Sequence, residues 1–229
     1  PVIDKDGRVH TFCHAVPNAW HVMGVTQAAG LSLKWFRDNF CTSEMEVAKN
    51  TGVDPYLLMD KEADTVPTGS NGILYLPYLM GERSPHLNPD AKGVFFGLSA
   101  IHTKKDMLRA VMEGVGYSLK DCLNILREMD IEASEVRASG GGGRSSLWRQ
   151  IQADMFGCNV STTRSADAGT LGVAILAGVG TGIWNSVGEA CEQVVKTKNA
   201  IAPIPVNKDI YEQGYKKYCE LYHCIKHLF

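Results

Sequence analysis

The 229-residue sequence is 45% hydrophobic and 21% charged and carries a formal net charge of −2, a composition typical of a soluble globular chain that can bury a core. Its basic residues are scattered, whereas nucleic-acid and anionic-membrane surfaces gather them on one face, so neither partner is expected. The seven cysteines include no CxxC pair, which predicts reduced, buried thiols in a cytoplasmic protein. No signal peptide and no apolar run long enough to cross a bilayer is visible.

The first part of the chain predicts a hairpin followed by helices. Two stretches rich in β-branched and aromatic residues flank Pro17-Asn18, a pattern typical of two strands and a turn. Ser43 and Glu46 have the spacing of a capping box, and Asp54-Pro55 is a helix start signal. The predicted strands are 8–16 and 20–26, and the predicted helices are 27–40, 43–52 and one that begins at Asp54-Pro55.

The rest of the chain alternates strand and helix patterns, which predicts one α/β domain. A loop rich in Pro, Gly and Asn at 81–93 is long enough to be functional or mobile. Gly114 and Gly116 lie inside the longest predicted helix, where they indicate close packing against a neighbouring element. The predicted strands are 72–79, 135–139 and 158–162, and the predicted helices are 103–129, 145–156, 168–179 and 207–228.

Four consecutive glycines, Gly140, Gly141, Gly142 and Gly143, join a predicted strand to a predicted helix. The dinucleotide-binding fingerprint fails here because serine stands where its third glycine belongs, and the Walker A pattern fails because Arg144 stands where its lysine belongs. Glycines nevertheless let backbone approach a ligand, and Ser145 or Ser146 can cap a helix whose N-terminus faces a polar group. The residues alone leave open a ligand platform or a tight strand-to-helix turn.

Two longer stretches resemble the carboxyl-terminal half of the FGGY carbohydrate kinases. The segments G-V-F-F-G-L at 93–98 and D-M-L-R-A-V-M-E at 106–113, seven residues apart, match the second signature of that family at its constrained positions. The run G-G-G-G-R-S-S-L-W-R-Q-I-Q-A-D resembles the adenosine-binding segment of the family, and within the family the sequence is most similar to xylulokinases.

The resemblance implies a ribonuclease H-like, actin-like ATPase fold, the second domain of a two-domain sugar kinase. Residues 1–229 would form the nucleotide-side domain, without the sugar-binding first domain and without the start of its own fold. By resemblance, Gly141 and Gly142 lie along the ribose and adenine, Gly140 and Gly143 belong to the same nucleotide-binding run, and Ser145 hydrogen-bonds the purine or ribose. Gly30 and Lys34 match positions near the ATP phosphates. For Lys34, a solvated lysine on the helix surface is an equally good interpretation.

A second group of candidates lies in the 81–93 loop. Glu82, Arg83 and His86 form a polar cluster that either faces the interdomain cleft and contacts the sugar or pins the loop structurally. The resemblance places the general-base Asp of the family upstream of this chain, so no catalytic residue and no metal ligand is assigned within residues 1–229, and the chain by itself is expected to phosphorylate no sugar.

The resemblance therefore implies an ATP- and Mg²⁺-dependent kinase that phosphorylates a sugar hydroxyl, with D-xylulose as the expected substrate and the first domain of the same protein as a partner. A homodimer is compatible with the sequence. Other FGGY kinases, acting on glycerol, ribulose or gluconate, remain alternatives, as does a non-enzymatic actin-like nucleotide-binding module. A Rossmann-type oxidoreductase is disfavoured by the misplaced third glycine.

Overall fold

The computed structural model of the protein describes residues 1–165 and 167–229. Strands and helices alternate, so the predicted α/β class is confirmed. The strands are β1 (His10–Cys13), β2 (Trp20–Met23), β3 (Leu74–Leu76), β4 (Val94–Phe96), β5 (Glu135–Ala138), β6 (Asn159–Thr163) and β7 (Thr197–Ile201). The helices are α1 (Ala29–Phe40), α2 (Thr42–Thr51), α3 (Pro55–Asp64), α4 (Lys104–Glu128), α5 (Ser146–Phe156), α6 (Ala168–Gly180), α7 (Val187–Val194) and α8 (Lys208–Ile225).

The largest sheet among the described residues has the order β5-β6-β7. Strand β5 pairs parallel with β6, with Val136 opposite Val160, and β7 runs antiparallel on the other side of β6. The strand pairs β1-β2 and β3-β4 are separate antiparallel ribbons. Parallel pairing requires a crossover between the strands, and α5 supplies it. The carboxyl ends of β5 and β6 therefore meet at one edge of the sheet.

Helix α4 is the centre of the hydrophobic core. Its N-terminus carries a capping box in which Thr103 and Asp106 satisfy each other's backbone N–H groups,. A Cβ atom at Gly114 would lie 2.2 Å from the carbonyl oxygen of Tyr75, and one at Gly116 would lie 2.5 Å from Sδ of Met155. The close packing predicted for these two glycines is confirmed, because neither position has room for a side chain.

Two predictions from the sequence need correction, and three elements were missed. The Ser43 capping box is wrong: α2 begins at Thr42, its N-cap residue Cys41 makes no side-chain cap bond, and Ser43 donates to Glu44 instead. The strand expected over 72–79 is reduced to Leu74–Leu76, since Pro77 has no N–H to donate to a ladder. The strand β4, the helix α7 and the strand β7 were not predicted.

The cysteines also differ in part from expectation. All seven are free, as predicted, but only Cys41 and Cys122 are buried, whereas Cys13 and Cys224 are exposed. Cys13 ends an exposed hairpin strand and Cys224 lies on the outer side of the last helix. Among the described residues, no helix is both long enough and apolar enough to cross a membrane.

Candidate functional site

The glycine run forms a tight connection between β5 and α5. Gly140 adopts a left-handed backbone with φ +70°, which favours glycine,. Gly141 has ordinary right-handed helical angles, and residues 142–144 form a single 3₁₀ turn. Ser145 is the N-cap of α5, and its side-chain oxygen accepts a hydrogen bond of 2.9 Å from the backbone N–H of Trp148. Of the two serines considered from the sequence, Ser145 caps the helix.

The four glycines face different surroundings. A Cβ atom at Gly143 would lie 3.0 Å from the carbonyl group of Ala138, and one at Gly142 would lie 3.1 Å from the indole ring of Trp148. A Cβ atom at Gly141 would meet no atom within 4 Å. Gly142 and Gly143 are thus required by packing within the protein, whereas Gly141 presents its open side to space.

Gly141 and Gly142 form one wall of a cavity of about 390 Å³ that we call the α1–α3 cavity. Its other walls come from the first turns of α1 and from α3, whose N-terminus is capped by Asp54 and begins at Pro55 as predicted. The volume is within the usual range for small-molecule sites, roughly 300 to 1,000 Å³. The lining residues are Gly30, Leu33, Arg37, Asp54, Pro55, Tyr56, Leu57, Asp60, Gly141, Gly142, Arg144, Ser145 and Trp148.

Three polar side chains of this cavity were not predicted from the sequence. Burial raises the pKa of Asp60, and the Ser145 hydroxyl partly offsets that rise,. Arg37 donates a 3.0 Å hydrogen bond to the Tyr56 hydroxyl and also lies over the Tyr56 ring, with its guanidinium carbon 5.0 Å from the ring centroid. These side chains supply one half-buried carboxyl, one cation and one flat aromatic surface to the cavity.

The two candidates on α1 have different positions. Gly30 is in the first turn of α1 and lines the α1–α3 cavity, and a Cβ atom there would meet nothing within 4 Å. The N-cap residue Ala28 offers no side-chain acceptor, so the first N–H groups of α1 are available to an anion. Lys34 is outside the residues that line the cavity. Its side chain is 59% exposed and forms a 3.1 Å ion pair with Asp38, one turn along the helix.

Glu82 is a structural anchor of the 81–93 loop. It is buried, and its Oε1 accepts hydrogen bonds from the backbone N–H of Gln27 and of Arg83, at 3.1 and 2.7 Å. Oε2 accepts from the Ser118 hydroxyl at 3.3 Å. Burial raises the pKa of Glu82 to about 7,. These contacts pin the loop to the start of α1 and to α4.

The other two loop candidates also contact this chain. Arg83 is exposed and donates from Nε to His10 of β1 at 2.7 Å. His86 stacks on the Tyr222 ring of α8 at 3.5 Å between centroids and makes a 3.1 Å hydrogen bond with the Tyr78 hydroxyl. Burial lowers the pKa of His86 to about 4,. The structure thus gives Glu82 and His86 packing roles, and contact of any of the three with a sugar stays a prediction.

The same loop was described from the sequence as long enough to be functional or mobile, but polar contacts hold it to the rest of the chain. Ser84 is fully buried, its backbone N–H donates to the carbonyl of Val25, and its hydroxyl donates to the carbonyl of Arg8 at 2.6 Å. Glu82 and Asn88 pair through two backbone hydrogen bonds of 2.9 Å each. These polar anchors were not expected from the sequence, and they favour an ordered loop.

A search of the described residues finds no group of three or more His, Cys, Asp or Glu side chains that could hold a metal ion. Asp154, at the end of α5, accepts from the Ile204 backbone N–H at 2.6 Å and from the Asn207 side chain at 2.7 Å. Its role is structural. Cations that arrive with phosphate groups commonly need only one or two protein carboxylates, so a separate metal cluster is not required for nucleotide binding.

Comparison with known proteins gives one family and a consistent set of relatives. Residues 1–181 match the FGGY family of carbohydrate kinases, C-terminal domain. The chain is 36% identical over 228 residues to the xylulose kinase of Staphylococcus epidermidis, covering 99% of this chain and 44% of that protein. It is 41% identical over 202 residues to the gluconokinase of Bacillus licheniformis, covering 86% of this chain and 39% of that protein.

Solved structures agree with the sequence comparison. The ligand-bound xylulose kinase from Lactobacillus acidophilus superimposes with a TM-score of 0.84 at 27% identity, covering 99% of this chain and 44% of that chain. The structural neighbours have the actin-like ATPase fold, so the predicted fold class is confirmed. The chain spans less than half the length of the curated relatives that it matches.

Proposed function

Because the chain belongs to the FGGY family of carbohydrate kinases and matches its C-terminal domain, we propose that the α1–α3 cavity binds the adenosine part of ATP. The observation that carries the proposal is Gly141, which has open space around an added Cβ and lines a cavity about 390 Å³ in volume beside the N-termini of α1, α3 and α5. A flat base needs close approach to backbone, which a side chain at this position would prevent. Tyr56 offers a ring surface, and Asp60 and Ser145 offer hydrogen-bonding groups.

The phosphate groups of the nucleotide would lie toward the start of α1. This helix has no side-chain cap at its N-terminus, and its N–H groups and dipole favour an anion there. Gly30 leaves that approach open. When bound with the nucleotide, Mg²⁺ would neutralise phosphate charge. The surface ion pair with Asp38 makes Lys34 the weakest member of the proposed phosphate site.

We infer that the complete protein transfers the γ-phosphate of ATP to a sugar hydroxyl. D-Xylulose is the favoured substrate, since the match to a xylulose kinase covers 99% of this chain. A gluconokinase role is the second candidate, favoured by the higher identity of 41% to a gluconokinase over a shorter span. Phosphoryl transfer depends on positioning and on charge neutralisation, and residues 1–229 contribute the nucleotide side of that arrangement.

The remaining parts of the proposed site would come from polypeptide outside residues 1–229. Strand β5 is at the edge of its sheet. Beside it is an open cavity of about 550 Å³ whose mostly apolar walls include Val115 and Leu119 of α4 and Val136 of β5. A further strand placed there would pair with β5 and cover the apolar walls. We propose that this strand, the sugar-binding domain and the general-base carboxylate all belong to the same protein.

A sugar-dependent ADP-release assay tests the proposed function. The full translated protein should release ADP with D-xylulose and MgATP, and with gluconate instead if the second candidate is right. Residues 1–229 alone should bind ADP without sugar-dependent turnover, because a positioned base contributes about 10²- to 10⁴-fold and orientation contributes more. If the full protein releases no ADP with either D-xylulose or gluconate, both proposed substrates are wrong. Turnover by residues 1–229 would place the base within this chain.

A further inference from the structure

A second cavity, which we call the β5–β7 cavity, lies at the carboxyl ends of β5 and β6 and is about 280 Å³ in volume. Its charged lining residues are all cationic: Arg144, Arg149, Arg164 and Lys198. The other described lining residues are small or neutral and include no carboxylate. Asp167, the nearest acid along the chain, caps α6 through the backbone N–H of Thr170. The cavity therefore concentrates positive charge without an acidic partner in its walls.

Arg149 is the feature that distinguishes this cavity from a chance surface cluster. It is only 5% exposed, and its Nη1 donates to the carbonyl of Asn199 at 2.6 Å. Its Nε is buried and has no hydrogen-bond partner among the described residues. Burial also lowers the pKa of Arg149, and no nearby anion offsets that effect. A buried cation without a counter-charge is costly.

Arg109 shows how the same protein treats a buried guanidinium elsewhere. It is 6% exposed, close to the value for Arg149, but its Nε donates to the Glu113 carboxylate at 2.9 Å. A further donor of Arg109 reaches the Tyr211 hydroxyl at 3.2 Å. Arg149 is as buried as Arg109, but no carboxylate of the described residues accepts a hydrogen bond from it. The missing partner is best supplied by an external anion, which the cavity in front of Arg149 can admit.

We propose that the β5–β7 cavity is a second anion site that binds a small phosphorylated molecule. Buried Arg149 would bind it, while the exposed side chains of Arg164 and Lys198 would close around it. Guanidinium groups match phosphate oxygens in geometry as well as charge, and several cations favour an anion with more than one negative charge. The site is distinct from the proposed nucleotide site, although the exposed Arg144 lines both cavities.

Titration calorimetry with inorganic pyrophosphate, at constant ionic strength and with saturating ADP, tests the proposal on the full translated protein. The wild type should bind one pyrophosphate per chain with ADP present. Changing both exposed cations, Arg164→Gln and Lys198→Gln, should weaken binding at least about tenfold, because two charge-assisted contacts are lost. The matched control is Lys196→Gln, an exposed lysine near Lys198 that is outside the cavity lining. It should leave binding unchanged within about twofold.

A Gly141→Val variant separates the two sites, because Gly141 lines only the α1–α3 cavity of this pair. It should keep its pyrophosphate affinity while its ADP affinity falls. The proposal is overturned if pyrophosphate does not bind, if saturating ADP abolishes its binding, or if the double variant binds as well as the wild type. Unchanged ADP binding by Gly141→Val would contradict only the proposed nucleotide site. The β5–β7 anion site would then still be tested by comparing Arg164→Gln/Lys198→Gln with Lys196→Gln.

Discussion

Replacing Gly141 with valine is the most direct perturbation of the proposed nucleotide site. The residue has helical backbone angles, φ −61° and ψ −46°, that valine can adopt without strain,. Its added Cβ would meet no protein atom within 4 Å. The new side chain would extend into the open space that we assign to the base and ribose, at a position where its Cβ meets no protein atom.

The change should affect two quantities, the affinity for ADP and the free energy of unfolding. Inserting methyl groups into an occupied, well-packed site costs about 1 to 3 kcal/mol, which corresponds to about 5- to 150-fold weaker ADP binding. The free protein should not lose stability. Replacing a glycine at a compatible backbone position tends to stabilise by about 0.4 to 1 kcal/mol through the unfolded chain. Binding and stability should thus move in opposite directions.

Calorimetric titration with ADP, paired with a denaturant melt, measures both quantities. Gly188→Val is the matched control, since Gly188 is an exposed glycine in the first turn of α7 with only the Ser186 hydroxyl nearby, at 3.8 Å. It should leave ADP binding unchanged. Gly142→Val is a poor substitute, because its Cβ would press on the Trp148 ring. If Gly141→Val binds ADP as tightly as the wild type, the base does not lie on this surface.

Three further results are expected. Gly114→Ala should lower the free energy of unfolding by at least about 1 to 3 kcal/mol, because its Cβ would overlap the Tyr75 carbonyl at 2.2 Å,; an unchanged denaturant midpoint would contradict this packing. Burial raises the pKa of Glu82 from 4.5 to about 7, so between about pH 4.5 and pH 7 the folded state holds a proton that the unfolded state releases. Relative to Glu82→Gln, the wild type should lose about 3 kcal/mol as pH rises across that window, and parallel pH profiles would refute the shift. The Ser84 amide, bonded to the Val25 carbonyl, should exchange with deuterium as slowly as amides inside α4, and fast exchange would restore the mobile-loop interpretation.

The predictions that succeeded rest on local chemistry. Asp54 followed by Pro55 starts α3, and Ser145 caps α5, because cap preferences are satisfied within a few residues. The capping box proposed at Ser43 has the same local pattern but fails. Its neighbour Glu44 is buried and forms an ion pair with Lys104 of α4, and this tertiary contact is not visible in the local sequence.

The parts that the sequence could not predict depend on distant contacts or lack a pattern. Strand β7 (Thr197–Ile201) is exposed at nearly every position, so it has no alternation of polar and apolar residues that would identify it. Arg37, Tyr56 and Asp60 come from two helices and converge only in the folded chain. The four positions all carry glycine, and the sequence does not show that Trp148 and Ala138 pack against Gly142 and Gly143 while Gly140 and Gly141 have no atom near an added Cβ.

The signature residues that pointed to the family lie some distance from the proposed base, and their contacts explain how they can still shape its site. Glu113 of α4 accepts hydrogen bonds from Gly69, Ser70 and Arg109, which fixes the start of β3 against that helix. One residue earlier, the carbonyl of Met112 accepts from the Trp148 indole N–H at 2.9 Å. The same indole packs against Gly142. The signature helix thus positions the indole, the indole supports the glycine run, and the run can then leave Gly141 open without collapsing onto the cavity.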